Sequence, residues 1–468
     1  MRRLLFAVPV CALLLCPAGP SVLASGSNYT IKNLGTVSGI VPHVTGVNAS
    51  GAASGWYTNA SGGDRAVRYV DGVGWAAIPG LESLTSYAFG INDRGDVVGY
   101  AILATGDIRA YRYSDAGGVE LVAPLSGGSY TIGSGISNTG EITGYGNTAT
   151  ATTAFRQSPG LLAQPIDTLG GSFSGGCGIN ENGQIAGIAL TTTGILHGFR
   201  ESIDGSVAEI AGIAGASSSN MPCAIDADGS VTGQAEAAGG VLHAFLFNGT
   251  NVMDLDSFGS SSSNGLAISN GVVVGNYTLG DNVTTHAFMH STATGTVDLN
   301  TLLPAGGTWV LTSATGVNSK GVMVGEGTLD GNAAVWMLTP APDTTAPTIT
   351  SLSVTPSTIK PNNHMSSVAV SVTAVDNIDP QPTCSITSID ASEAQPGDAI
   401  ITGALTASLL ATKDSHGQPR TYALTVTCGD ASQNTSTGTV NVLITTGNNG
   451  VAGGKPVHVT GAVWKGKK

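Results

Sequence analysis

The hydrophobic and polar positions of this chain follow one pattern that recurs along most of its length. The pattern reads G-[IV]-[NSD]-x-x-G-x-[VI]-x-G, and residues 90–99 show it in full. Its copies begin at residues 46, 90, 135, 178, 224, 267 and 316, with Ala replacing the first Gly at 224 and 267. The starts are 44, 45, 43, 46, 43 and 49 residues apart. A nearly fixed period of this length indicates a repeat architecture.

Each repeat predicts four short strands. A strand of small residues such as 87–91 precedes the N-x-x-G turn, and a β-branched strand such as 96–100 follows it. Asn or Asp tolerates left-handed φ in this turn, and Gly adopts it freely. An apolar–aromatic run such as 243–246 and a short strand such as 252–255 complete the repeat. Four strands in about 45 residues is typical of a propeller blade, whereas a parallel β-solenoid usually has shorter, stricter rungs.

The two ends of the repeat region predict how it closes. The seventh repeat ends at residues 335–338 without a fourth strand of its own. Residues 29–35 precede the first repeat and look like an orphan fourth strand, comparable with residues 166–170. Pairing the two would remove free strand edges. We therefore expect an all-β fold with a seven-bladed β-propeller over residues 25–340, its first strand supplied to the last blade.

The triplets His243–Ala244–Phe245 and His286–Ala287–Phe288 resemble the HAF repeat family of extracellular bacterial proteins. Other copies carry variants such as Arg-Ala-Tyr or Thr-Ala-Phe, and the resemblance spans roughly residues 28–340. It implies an extracytoplasmic location and no established activity. His197, His243 and His286 all fall on the triplet, so we expect them to fill a structural slot, bonding a turn or a neighbouring blade, rather than to bind metal.

The flanking segments predict export and a second domain. Residues 1–24 read as a signal peptide, with Arg2 and Arg3, an apolar run and a small-residue cleavage site. Residues 341–347 form a Pro-rich linker. Alternating strands over 348–446 predict an Ig-like β-sandwich, which resembles HYR-like modules of secreted bacterial proteins, where the domain is a spacer or adhesion module. Residues 447–468 are expected to be a disordered tail.

Four cysteines remain after the signal peptide. Cys384 and Cys428 lie on separate predicted strands of the sandwich, and we expect a disulfide between them in an oxidising compartment. Cys177 and Cys223 each directly precede the motif in adjacent repeats. They form either a bridge between blades or two free thiols, since a bridge requires Cα atoms within about 7 Å. Neither pair suggests a catalytic thiol.

The net charge of the chain and a search for catalytic motifs argue against several classes of function. The chain has 18 Lys and Arg against 31 Asp and Glu, a net charge of −13, which argues against nucleic-acid or anionic-membrane binding. No nucleophile elbow, H-E-x-x-H, P-loop or sialidase aspartate box occurs, and no cofactor is predicted. The Asp226-x-Asp228 stretch lacks the distal Glu of a calcium loop. Asp376, Asp379 and Asp430 are either a calcium site at one end of the sandwich or exposed turn carboxylates.

These observations favour a secreted, non-catalytic binding, adhesion or scaffold protein that presents propeller loops to an extracellular protein or glycan. The aromatic content of 5% argues weakly against extensive sugar stacking. One alternative is a hydrolase or lyase of an extracellular polymer, which would gather charged and aromatic side chains at a channel mouth. Another is a structural component of the cell envelope.

Overall fold

A computed structural model describes residues 29–445, apart from 214–219, 257, 305, 378, 380, 392–394 and 415. The predicted signal peptide and the predicted tail lie outside these residues. The described residues form strands and a single 3₁₀ turn, Leu299–Leu302, so the all-β expectation is confirmed. Within them, no helix is long and apolar enough to cross a membrane. The chain divides into two compact units at Ala341 and Pro342.

The first unit begins with strand β1 (Tyr29–Asn33), after which the repeats contribute strands in order. Repeat 1 contains β2 His43–Val47, β3 Ala53–Thr58, β4 Asp64–Val70 and β5 Gly74–Ala77; repeat 2, β6 Thr85–Ile91, β7 Val97–Ile102, β8 Ile108–Ser114 and β9 Gly118–Leu121; repeat 3, β10 Thr131–Ile136, β11 Ile142–Asn147, β12 Thr152–Gln157 and β13 Gln164–Pro165. Repeat 4 contains β14 Gly170–Ile179, β15 Ile185–Thr191, β16 Leu196–Glu201 and β17 Val207–Ile210; repeat 5, β18 Asn220–Ile225, β19 Val231–Glu236, β20 Leu242–Phe247 and β21 Val252–Asp254; repeat 6, β22 Ser262–Ser269, β23 Val272–Thr278, β24 Thr285–Ser291 and β25 Gly295–Asp298; repeat 7, β26 Trp309–Val317, β27 Met323–Leu329 and β28 Asn332–Pro340.

Within each repeat, consecutive strands pair antiparallel. Repeat 7 has three strands of its own, and β1 supplies the fourth by pairing with β28. Tyr29 lies opposite Pro340 and Asn33 opposite Trp336. The expected pairing of the first strand with the last repeat is confirmed, and it joins the two ends of this unit.

Two of the motif glycines are required for different physical reasons. The turn glycine takes left-handed φ in every repeat, from +69° at Gly183 to +87° at Gly140. The last motif glycine instead faces a β-bulge in the first strand. At Gly99 the bulge between Ala88 and Gly90 brings the Tyr87 carbonyl so close that a Cβ would overlap its oxygen. The second requirement is a close backbone approach, not a turn conformation.

The HAF triplet fills the interior and joins neighbouring repeats. Its aromatic residue is buried between sheets; Phe155, Phe199 and Phe245 have no exposed surface. The backbone N–H of its middle residue donates to a side chain at the start of the next repeat, as from Ala244 to Ser263 Oγ at 2.9 Å. In repeats 2 to 5, aromatic burial and a hydrogen bond to the next repeat therefore act at the same point.

Arginines add a second joint in the first half of the unit. The side chain of Arg68 donates to the carbonyl of the turn glycine Gly95 in the next repeat at 3.0 Å. Arg200 makes the same contact with Gly229 at 2.9 Å. Arg112 and Arg156 repeat it between these two. These four arginines therefore hold neighbouring repeats together.

The described residues of the second unit form eight strands in two sheets. They are β29 Thr348–Thr355, β30 Thr358–Ile359, β31 Met365–Val375, β32 Thr383–Ala391, β33 Ala399–Gly403, β34 Thr406–Leu410, β35 Arg420–Gly429 and β36 Thr435–Ile444. The sheet orders are β29-β31-β34-β33 and β30-β36-β35-β32. Both sheets contribute to one core, which includes Val370, Leu409, Leu424 and Val442.

The expected disulfide between Cys384 and Cys428 is present. The two residues lie directly opposite each other on β32 and β35, with Cα atoms 4.0 Å apart. The bond therefore joins neighbouring strands of one sheet and does not connect the two sheets.

Candidate functional site

Equivalent residues of all seven repeats line a cavity in the first unit. The cavity therefore lies on the axis around which the repeats are arranged. Aliphatic residues at the second motif position face it, namely Val47, Ile91, Ile136, Ile179, Ile225, Ile268 and Val317. All of these except Ile268 also line a second pocket at the other end. We call the first, about 280 Å³, the turn pocket, since the N-x-x-G turns surround it. The second, about 210 Å³, is the thiol pocket, since Cys177 and Cys223 line it.

The asparagines of the motif connect the repeats around the turn pocket. Asn48 Oδ1 accepts the backbone N–H of Ala52 at 2.9 Å within its own turn. Its Nδ2 donates to the carbonyl of Asn92 in the next repeat, also at 2.9 Å. Asn318 Nδ2 donates to the Asn48 carbonyl at 2.7 Å and links the last repeat to the first. The motif Asn thus forms its turn and also binds the next repeat, and only the first role was predicted.

Three carboxylates line the turn pocket, and backbone N–H groups of neighbouring repeats engage each of them. Asp93 accepts from Ala49 at 2.7 Å, Glu181 from Asn138 at 3.1 Å, and Asp226 from Gly271 at 2.7 Å. Partial burial raises the pKa of the Glu181 carboxyl, and the nearby Asp93 adds to the rise. These carboxylates therefore hold the repeats together at this end.

The thiol pocket is lined by residues that directly precede the motif, including Phe89, Cys177 and Cys223. The bridge between blades that the sequence left open is not formed, because both thiols are free. Each sulfur turns back along its own strand: Cys177 Sγ lies 4.0 Å from the Gly175 carbonyl oxygen and Cys223 Sγ 3.8 Å from that of Met221.

Both thiols are weak nucleophiles. Burial raises the pKa of Cys177 to about 12, with a contribution from the neighbouring Cys223, and burial raises the pKa of Cys223 to about 11. Because the thiolate is the reactive form, these side chains stay protonated and unreactive at neutral pH.

An aromatic cluster adjoins the thiol pocket in repeats 1 and 2, formed by His43, Trp56, Tyr87, Phe89 and Tyr100. His43 stacks on Trp56 with ring centroids 4.3 Å apart, and Trp56 meets Tyr87 edge to face at 5.1 Å. Tyr87 stacks on Tyr100 at 4.8 Å. Phe89 contacts Tyr100 at 5.8 Å and also lines the pocket. All five side chains retain exposed surface, and that of His43 is 51% exposed.

Strand register explains why these rings meet. Trp56 and Tyr100 directly follow the last motif glycine of their repeats, and they lie opposite His43 and Tyr87 on the first strands. In repeats 5 to 7 the residue after that glycine is instead polar: Gln234, Asn276 and Glu326. One face of the unit therefore changes from aromatic to polar around the pocket. Aligning the repeats at this glycine would have found the cluster; overall aromatic content could not.

Carboxylates border the cluster and are hydrogen-bonded. The Tyr87 hydroxyl donates to Asp64 Oδ2, and Thr58 Oγ1 donates to Asp64 Oδ1 at 2.6 Å. The hydrogen bonds from Thr58 and Tyr87 lower the pKa of Asp64, whereas the bond to Asp64 raises that of Tyr87. His43 Nδ1 lies 3.1 Å from Glu326 Oε1. At neutral pH Asp64 is therefore ionised and the Tyr87 hydroxyl is protonated.

The triplet histidines occupy a structural slot, but with a different partner from the one expected. His243 Nδ1 lies 2.8 Å from Asp254 Oδ2, and His286 Nδ1 lies 2.8 Å from Asp298 Oδ2. His197 pairs in the same way with Glu209. In each repeat the partner is a carboxylate on the fourth strand of the same sheet, not a turn or a neighbouring repeat.

The second unit has a separate group of carboxylates that could hold a hard cation. Oxygen atoms of Asp343, Asp376 and Asp430 lie within 4.8 Å of one another, and carboxylate oxygens suit Ca²⁺. The sequence grouped Asp379 with the last two. Asp379 instead accepts backbone N–H groups, including that of Ala431 at 3.0 Å. Asp343 was assigned to the linker and so was missed.

No protein-family model matches the chain, and no curated protein does. Among solved structures it is similar to the β-propeller domain of the Trilobed protease from Pyrococcus furiosus, at 10% identity and a TM-score of 0.43, over 64% of this chain and 95% of that one. It is also similar to a puromycin hydrolase, at 12% identity and a TM-score of 0.43, over 83% of this chain and 58% of that one. A third similar structure is TolB from Acinetobacter baumannii, at 14% identity and a TM-score of 0.37, over 56% of this chain and 63% of that one. The chain spans less than two thirds of these last two proteins. The likeness concerns the fold.

Proposed function

We propose that this chain is a secreted, non-catalytic binding protein, and that its first unit binds an extracellular partner through the aromatic cluster and the thiol pocket. The observation that carries the proposal is the cluster itself. The rings at the triplet position, such as Tyr111 and Phe155, are fully buried, whereas these five keep exposed surface. Five rings left partly exposed beside an axial pocket are typical of a binding surface, where a partner covers apolar area.

The proposal assigns residues 25–340 to a seven-bladed β-propeller of HAF type and residues 348–446 to an Ig-like spacer behind the linker 341–347. Support for the propeller comes from the repeat period and from seven groups of four antiparallel strands, with β1 in the last group. Support for the spacer comes from two sheets around one core. Export through a signal peptide at 1–24 is part of the same proposal.

The chemistry of the two pockets favours binding over hydrolysis or elimination. A hydrolase or lyase needs an acid and a base within reach of one substrate atom. The carboxylates of the turn pocket are bonded to backbone N–H groups of neighbouring repeats. Burial keeps the thiols of the other pocket protonated. No observation favours the envelope-component alternative, which predicts regular oligomers in sedimentation.

The experiment is a binding screen in which the full chain is immobilised and extracellular proteins and glycans are passed over it. Wild type is compared with Trp56→Ala, and Phe258→Ala is the matched control, because Phe258 is an exposed ring outside the cluster that stacks on Tyr277 at 4.0 Å. We expect a partner that wild type and the control retain and that Trp56→Ala loses. A partner retained equally by all three, or turnover of a bound polymer, would contradict the proposal.

A further inference from the structure

The aromatic cluster also indicates what class of ligand it binds. Its rings form a continuous row from His43 through Trp56 and Tyr87 to Tyr100, with neighbouring centroids 4.3 to 5.1 Å apart. Phe89 connects the row to the thiol pocket. The rings pack on one another instead of surrounding a common point. Such a surface offers a partly exposed apolar platform that leads into a small cavity.

The polar groups around this platform are acceptors and amides. Asp64 and Glu326 border the rings, and both already bind donors of the protein. Gln234 and Asn276 continue the same face, bonded to Ser263 and Ser313 at 3.2 Å. Among the described residues that line the thiol pocket or form the cluster, none is Lys or Arg. Arg65 lies near Asp64, but its side chain already donates to the backbone carbonyls of Asp64 and Glu82. The lining therefore offers no unengaged Lys or Arg for a phosphate, sulfate or uronate group, which such a cation would bind.

We propose that the cluster and the thiol pocket bind a neutral glycan, an inference that rests on the proposed binding function. The C–H face of a pyranose ring covers an aromatic platform, while its hydroxyl edge donates to carboxylates and amides of the kind found here. The pocket, about 210 Å³, is smaller than the roughly 300–1,000 Å³ of pockets that enclose drug-sized ligands. It therefore admits about one sugar ring, and further rings of the chain lie along the row.

Two other ligand chemistries fit less well. A nucleic acid or nucleotide would also stack on the rings, but it needs basic residues for its phosphates. A quaternary ammonium group is attracted to aromatic faces. In this cluster, however, the rings form a row and do not surround a common point as an aromatic cage does. Equilibrium dialysis of wild type and Trp56→Ala against ATP and against choline tests these two chemistries.

The test is affinity electrophoresis of the purified full chain through gels containing dextran, laminarin, galactomannan or hydroxyethyl cellulose, with alginate as the acidic polysaccharide. We expect at least one neutral polymer to retard wild type and Phe258→Ala, and alginate to have no effect. Trp56→Ala and Tyr100→Ala should weaken the retarding interaction at least tenfold. Tyr100→Phe, which keeps the ring, should retain it, and this variant distinguishes lost stacking from misfolding.

The outcomes separate this inference from the proposed function. If no neutral polymer retards the wild type while a protein partner binds and depends on Trp56, the glycan inference is wrong and the binding function stands. Preferential binding of alginate, ATP or choline that Trp56→Ala abolishes overturns the inference in the same way. If neither glycans nor proteins bind in a manner that depends on Trp56, both proposals fail.

Discussion

The two ends of the axial cavity use the same repeat in opposite ways. At the turn end, side chains join neighbouring repeats. The motif residue Asn48 bonds to Asn92 of the next repeat, Asp93 to Ala49 of the preceding one, and Arg68 to the turn glycine Gly95 of the next. At the other end, the residues before the motif and after its last glycine differ from repeat to repeat. The constant end builds the unit, and the variable end is available for a ligand. A recurring motif in such a chain therefore indicates architecture, whereas its variable positions are where recognition is to be sought.

The largest expected effect is at the last motif glycine. Gly99→Ala places a Cβ against the Tyr87 carbonyl across the bulge, with no flexible side chain to move aside. We expect a loss above about 4 kcal/mol of unfolding free energy, or failure to fold. Gly280→Ala is the control, since nothing lies within 4 Å of its added Cβ and its φ is not left-handed. Urea denaturation of both variants measures the difference, and equal stabilities would refute the close-approach argument.

The next effect tests the joints at the turn end. Asn92→Ala removes the bond to the Ser137 carbonyl at 3.0 Å and leaves the buried N–H of Asp96 without its acceptor. We expect a loss of about 2–4 kcal/mol. Ligand affinity of the folded fraction should stay unchanged, because this end does not contact the ligand. Denaturation and binding are measured on one preparation, and a fall in affinity at constant stability would reverse the assignment of the two ends.

The converse variant acts at the variable end. Trp56→Ala removes a partly exposed ring. We therefore expect the free energy of unfolding to change by about 1 kcal/mol or less, while ligand binding is lost. Thermal unfolding with and without ligand provides the measurement. Ligand should raise the midpoint of wild type and leave that of the variant unmoved. Severe destabilisation by Trp56→Ala would show that the cluster is core and not a binding surface.

The smallest effect concerns charge at the turn end. Because the pKa of Glu181 is raised in the folded chain, the native state holds its proton to higher pH than the unfolded state does. Stability therefore falls as pH rises from the ordinary glutamate value of 4.5 through the raised one, and the penalty is complete above it. Glu181→Gln should be slightly more stable than wild type at pH 7, by less than about 0.5 kcal/mol given solvent screening. The two should coincide below pH 4, and a less stable Gln variant at pH 7 would count against this account.

The sequence correctly predicted features that depend on local residue chemistry or on the number of strands in each repeat. The turn glycines, the pairing of the first strand with the last repeat and the Cys384–Cys428 bond each follow from local chemistry or from counting strands. It could not predict contacts that depend on register across strands. His43 and Trp56 are 13 residues apart, and nothing in their neighbourhoods shows that they stack. The carboxylate partners of the triplet histidines were missed for the same reason, as was Asp343.

The pairing of β1 with β28 affects both the folding of the unit and its tendency to self-associate. The strand that completes the last repeat is the first described strand of the chain, and its partner residues follow about 300 positions later. Until residue 340 is available, every intermediate has an open strand edge at β28 or an unpaired β1. This pairing brings together the most distant parts of the unit, so it carries the largest loop-closure cost among its strand pairs. During that interval the β1 strand of one molecule can pair with β28 of another, so dilution favours the monomer.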